Sequence, residues 1–108
     1  MKNNNPEQLI KNEILEWLLS QGALAWPTHS VGIYDPVKKI FRKNMAKFHI
    51  LGVSDILGIW KTHPLAIEVK SSVGRATTAQ LQFIEKFNSQ GGIAFIARSL
   101  DEVKAYLD

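Results

Sequence analysis

The sequence predicts one α/β domain over residues 1–108, a small mixed sheet flanked by helices in the order α-β-β-β-α-β-α. Three observations carry this. The opening stretch repeats apolar residues at helical spacing between a capping asparagine and a glycine. Three later runs, 55–60, 65–70 and 93–97, are apolar and of strand length. A helical segment separates the last two of these, which calls for a parallel crossover. With 108 residues and 45% hydrophobic content, the chain can build one modest core.

The first helix is expected from Pro6 to Gln21. Asn5 caps it, Pro6 suits its first position, Gln8 suits a capping box and Gly22 suits the residue past its end. At 100° per residue, Glu7, Ile10, Ile14 and Leu18 fall on one stripe, so an acid shares the face that should pack inward. Taken alone, Glu7 is sufficiently explained by the positive end of the helix dipole. Ala23 to Tyr34 reads as a strand, interrupted by or beginning after Pro27, with Tyr34-Asp-Pro36 as a turn. Asp55–Trp60 and Leu65–Lys70 read as strands joined by a four-residue loop, Lys61-Thr-His-Pro64. After a loop with Gly74, a second helix runs from Thr78 to Ser89 and stops at Gly91-Gly92. Ile93–Ala97 is a buried strand, and Ser99-Leu-Asp-Glu102 is a capping box for a final helix reaching Leu107.

Charge and composition narrow the function classes. No apolar run is long enough to span a bilayer, and residues 1–5 do not resemble a signal peptide, so no membrane association is expected. The absence of cysteine excludes disulfide and thiolate metal sites and points to the cytoplasm. Any metal must sit on carboxylates, histidines or carbonyls. The net charge is +3, but its distribution says more: Lys38, Lys39, Arg42, Lys43 and Lys47 fall in a stretch, 36–54, that contains no acid. Such a run can follow a phosphate backbone, or it can be a solvated loop.

The chemistry concentrates at Asp55, Glu68 and Lys70. Residues two apart in a strand share a face, so Glu68 and Lys70 point one way while Ile67 and Val69 point the other. A four-residue loop pairs Trp60 with Leu65, which sets Asp55 opposite Lys70 and Leu57 opposite Glu68. All three charges then converge on one face at one end of the hairpin. A register slip of one residue would send Asp55 to the other face. Two carboxylates suit a hard divalent cation such as Mg²⁺ or Mn²⁺, and a lysine beside them can orient or deprotonate a water. The competing explanation is a cross-strand ion pair on a solvated face. Apolar neighbours on both faces weigh against it, because unpaired buried charge is costly.

These residues also carry a resemblance. Ser54-Asp55 and Glu68-Val-Lys70 resemble the signature of the PD-(D/E)XK nuclease superfamily, with a restriction-endonuclease-like core. More narrowly, Gly52-Val-Ser-Asp55-Ile-Leu-Gly58, Ile67-Glu-Val-Lys70-Ser71, Gly74-Arg75, Thr78-Ala-Gln80 and Gly91-Gly92 resemble the VRR-NUC family of virus-type replication-repair nucleases. The likeness covers nearly the whole chain, with residues 26–50 matching least and Ser54 standing where the superfamily has proline. It implies a metal-dependent endonuclease acting on DNA, often on branched or nicked structures such as Holliday junctions or flaps. It implies Asp55, Glu68, the Val69 carbonyl and Glu7 as ligands of Mg²⁺ or Mn²⁺, and Lys70 as the residue that positions or activates water. It also implies Gln80 near metal or phosphate, although Thr77-Thr-Ala-Gln80 is equally a capping box. Arg75 after Gly74 suits a phosphate contact, and His29 and His49 suit DNA contacts or structural roles. A two-fold homodimer would face two active sites toward two strands. A nickase, an RNA-directed enzyme or a non-catalytic nucleic-acid-binding module on the same fold are the alternatives.

Overall fold

The computed structural model describes residues 5–28, 33–35, 40–42 and 48–108, with backbone alone for 33–35 and 40–42. Helix α1 (Pro6–Ser20) opens as its sequence requires: Asn5 Oδ1 accepts from the amides of Glu7 and Gln8, and Pro6 occupies the first turn. The Gln8 amide nitrogen donates along the helix to Asn12 Oδ1. Gly22, with φ +84°, takes the left-handed turn past the helix end.

A four-stranded sheet follows in spatial order β1 (Leu24–Pro27), β4 (Ile56–Trp60), β5 (His63–Val69) and β6 (Ile93–Ala97). β1–β4 and β4–β5 are antiparallel, whereas β5–β6 is parallel, with α2 (Thr78–Ser89) in the connection as expected. Helix α3 (Leu100–Leu107) ends the chain. The expected seven-element core is therefore present. The stretch expected as one strand from Ala23 to Tyr34 is instead two. β1 includes Pro27, which an edge strand tolerates because one side of it needs no ladder donor. β2 (Ile33–Asp35) pairs with β3 (Ile40–Arg42) in a separate two-stranded sheet.

The hairpin between β4 and β5 is tighter than its sequence suggested. Trp60 pairs with His63 and Ile56 with Ile67, so the loop is two residues, Lys61-Thr62, rather than four. Both turn residues have positive φ, 47° and 73°, as the two-residue hairpin turn requires. Asparagine and glycine usually mark such turns, and neither is present here. The Lys61 ammonium sits 5.1 Å from the centre of the Trp60 ring, and the Lys61 carbonyl lies 3.0 Å from His63 Nδ1.

The core lies between the sheet and helices α1 and α3. Ile14, Leu18, Ile56, Leu65, Ile67, Val69, Ala97 and Val103 are fully buried in it. Trp17 stacks on Trp60 at 5.5 Å, and Phe95 stacks on Tyr106 at 3.9 Å. α2 packs over β5 and β6 outside that cluster, where the strands present the small residues Ala66 and Ala94. Asn88 at the end of α2 bonds both the N–H and the C=O of Ala94, which satisfies the outer edge of β6 with a side-chain amide. No helix among the described residues is long and apolar enough to cross a membrane.

Candidate active site at the β4–β5 end

Side chains along β4 and β5 alternate between the core and the α2 side. Because Ile56 and Ile67 belong to the core cluster, Asp55 and Glu68 project to the opposite face. The observed register differs from the expected one by two residues, an even number, so the face is unchanged. Continuing the ladder by one pair sets Asp55 opposite Glu68 rather than opposite Lys70.

Several contacts fix Asp55. The Val69 N–H donates to Asp55 Oδ2 at 2.9 Å, which closes the β4–β5 end with a side-chain bond where the ladder stops. The N–H and C=O of a strand residue leave on the same side, so the Val69 carbonyl also faces this end. Thr28 ties the preceding backbone to the end of β1, its N–H on the Asp55 carbonyl at 2.8 Å and its hydroxyl on the Ser54 carbonyl at 2.6 Å. On the other side, Gly52 lies against the first turn of α2 with φ +76°. A Cβ there would run into the backbone of Ala79 and Gln80. Only glycine meets both demands.

Glu68 is 2% exposed. Its Oε2 lies 3.3 Å from Lys70 Nζ, and its Oε1 is buried with no partner among the described residues. Burial, and after it the charge of Asp55, push the Glu68 carboxyl up to about 7, while Lys70 pulls the other way without matching them. The second carboxylate and the desolvated oxygen both call for positive charge that one lysine does not supply. The Ser54 hydroxyl is also buried and without a partner among the described residues, and nothing in the structure accounts for it.

The donor set fits a hard divalent cation. Glu68 Oε1 lacks a hydrogen-bond partner among the described residues, Asp55 lies beside it, and the Val69 carbonyl faces the same end, so the available ligands are all oxygen. No group of three or more His, Cys, Asp or Glu side chains able to hold a metal occurs among the described residues. Glu7 accordingly does not complete a ready-made carboxylate cluster. Its Oε2 instead accepts from the Ser71 N–H at 3.2 Å, immediately after Lys70. The helix stripe thus brings Glu7 to the site's margin.

Gln80 closes the capping box of α2, with its Oε1 accepting from Thr77 N–H at 2.9 Å and its N–H donating to Thr77 Oγ1 at 3.1 Å. The geometry displays the capping role of the two considered. Arg75 is exposed on the loop between the Ser71–Gly74 turn and that cap. His49 is exposed beside Ile50 and Leu51, in a groove of about 720 Å³ that Phe83 and Phe87 of α2 also line. Lys38, Lys39, Lys43, Lys47, His29 and the side chain of Arg42 lie outside the described residues.

One residue beside the site went unrecognised in the sequence. Arg98, just past β6, donates through Nη1 to the carbonyls of Ser71 and Gly74. Its only sequence signal is a position directly after a buried strand, which does not identify contacts 24 and 27 residues away.

Comparison with solved structures agrees with the fold expected from the sequence. A protein described as a VRR_NUC domain protein matches with a TM-score of 0.64 and 19% identity, over 92% of this chain and 82% of that one. The two share a fold, a mixed sheet with flanking helices. No family model matches the chain, and no curated protein matches it.

Proposed function

We propose that this protein is a Mg²⁺- or Mn²⁺-dependent DNA endonuclease that hydrolyses phosphodiester bonds in branched or nicked DNA, in the cytoplasm, as a homodimer. The observation that carries this reading is the paired carboxylate end of β4–β5, where the buried Glu68 keeps one oxygen without a partner among the described residues, beside Asp55 and Lys70. The fold shared with a VRR_NUC domain protein supports it.

Asp55, Glu68 and the Val69 carbonyl would hold the cation, with Glu7 approaching from α1 as a further candidate. When bound, the cation would acidify a water and neutralise charge on the scissile phosphate. Asp55 is kept ready by Val69 N–H and by Thr28, so its carboxylate needs no rearrangement to act as a ligand. Lys70 keeps its ammonium within the half-buried site at 12% exposure, where it would orient the attacking water or offset charge on the phosphorane. Gln80 caps the first turn of α2, whose backbone lies against Gly52 in the loop that leads to Asp55. Arg75, together with Lys38, Lys39, Arg42, Lys43 and Lys47, would supply the phosphate contacts, and their positive charge makes binding salt-dependent.

The test is incubation with labelled four-way junction, flap, nicked duplex, single-stranded DNA and RNA, each with Mn²⁺, Mg²⁺ or EDTA. Metal-dependent cutting of a branched or nicked DNA is expected, with none in EDTA. Cutting confined to RNA would point to the RNA-directed alternative. No cutting of any substrate would leave a binding module.

A further inference from the structure

We propose that Arg98 is a positioning residue for Lys70, acting through the turn that follows it; this rests on the nuclease reading of the site. Lys70 is where β5 leaves the sheet. Its N–H makes a last ladder bond to the Ala97 carbonyl at 3.0 Å, and the chain then turns through Ser71–Gly74, closed by Gly74 N–H on the Ser71 carbonyl at 3.2 Å. Arg98 Nη1 bonds both ends of that turn, the Ser71 carbonyl and the Gly74 carbonyl, the latter at 2.8 Å. From the opposite side Glu7 takes the Ser71 N–H. A four-residue turn is thus held between the start of α1 and the start of α3.

Arg98 is itself anchored. Its backbone N–H donates to Glu102 Oε1 at 2.7 Å, and the Glu102 N–H donates to Ser99 Oγ at 3.2 Å, so the cap of α3 fixes the root of the arginine. The guanidinium can donate several hydrogen bonds in a fixed plane, whereas a lysine would offer a mobile point charge. The turn in turn lies against the catalytic candidate. Gly74 lies so close to the Lys70 stem and the Glu7 carboxylate that an added Cβ would stand 3.4 Å from Lys70 Cδ and 3.1 Å from Glu7 Oε2. Lys70 Nζ, at the end of that stem, meets Glu68 Oε2 at 3.3 Å with the side chain 12% exposed. Among the described residues the Arg98 side chain bonds the Ser71 and Gly74 carbonyls rather than Asp55, Glu68 or the Lys70 ammonium, so its effect must pass through the turn. Small displacements of a catalytic group of about 1 Å cost on the order of 100-fold in rate, which makes such a clamp consequential.

Arg98→Ala and Arg98→Lys separate this role from two others. In both variants, single-turnover cleavage, DNA affinity with its salt dependence, circular dichroism, and amide exchange at Ser71 and Gly74 are measured. The clamp predicts a cleavage rate lower by about 10- to 100-fold in Arg98→Ala. It further predicts partial recovery in Arg98→Lys, faster amide exchange confined to the turn, and unchanged DNA affinity and salt slope. A folded Arg98→Ala with wild-type rate and exchange overturns the proposal. So does a loss of affinity with a salt slope reduced by about one, which would make Arg98 a phosphate contact. If neither variant folds, Arg98 serves folding and the proposal also falls. A wild type that cuts no substrate overturns the nuclease reading, while the exchange measurement still decides whether the clamp exists.

Discussion

Replacing Glu68 by glutamine removes a charge from the site while keeping its shape. In the metal-free protein the Glu68 carboxyl is raised from 4.5 to about 7, chiefly by burial and then by Asp55. Between those values the folded state binds a proton that the unfolded chain has released, so stability falls as pH rises through this window and levels off above it. At about 1.4 kcal/mol per pH unit, the full penalty above pH 7 is on the order of 3 kcal/mol. Glu68→Gln should therefore stay close to wild type in stability at pH 4.5 and below, and exceed it by up to that amount at pH 8. In a domain of this size the difference is roughly 10 °C in melting temperature. The assay is urea or thermal unfolding of both proteins in EDTA from pH 4 to 8.5. Added Mn²⁺ should recover stability at pH 8 in wild type and much less in the variant, because the cation supplies the charge that the glutamine no longer calls for. A variant less stable than wild type at pH 8, or a difference that does not change with pH, would refute the electrostatic account of the site.

Three further outcomes follow from the packing. Lys61→Asn with Thr62→Gly should stabilise the protein by about 1–2 kcal/mol, since both residues now hold positive φ without the usual turn residues. Unfolding in denaturant checks it, and an unchanged midpoint would contradict it. Gly52→Ala should lower the melting temperature and the cleavage rate together, because the added methyl both strains φ +76° and presses on the α2 backbone that backs the Asp55 loop. Asn88→Ala should cost roughly 1–3 kcal/mol by leaving the Ala94 N–H and C=O without their side-chain partner, with little change in cleavage per folded molecule.

The meeting of Asp55, Glu68 and Lys70 at one end of the hairpin was legible because strand alternation is insensitive to an even error. The apolar runs on either side make Lys61–Pro64 read as a four-residue loop, and neither asparagine nor glycine marks the two-residue turn that forms. The true register moved Asp55 from Lys70 to Glu68 but left it on the same face. Helical spacing likewise led Glu7 inward along α1, though its contact is with the Ser71 backbone rather than within a carboxylate cluster. The residues that hold the site in place were hidden for a common reason. Arg98 and Thr28 act on backbone atoms of distant segments, and such contacts leave no periodic or compositional trace. The division of 24–42 into β1 and a separate β2–β3 hairpin was obscured by strands of only three or four residues, too short for alternation to register.

The most direct test of the central claim is single-turnover cleavage of a labelled DNA substrate in Mn²⁺ by wild type, Asp55→Ala and Lys70→Ala, with DNA affinity measured in parallel. If the β4–β5 end is the catalytic centre, both variants should lose on the order of 100-fold or more in rate while binding DNA about as well as wild type. Equal rates in all three proteins would contradict it.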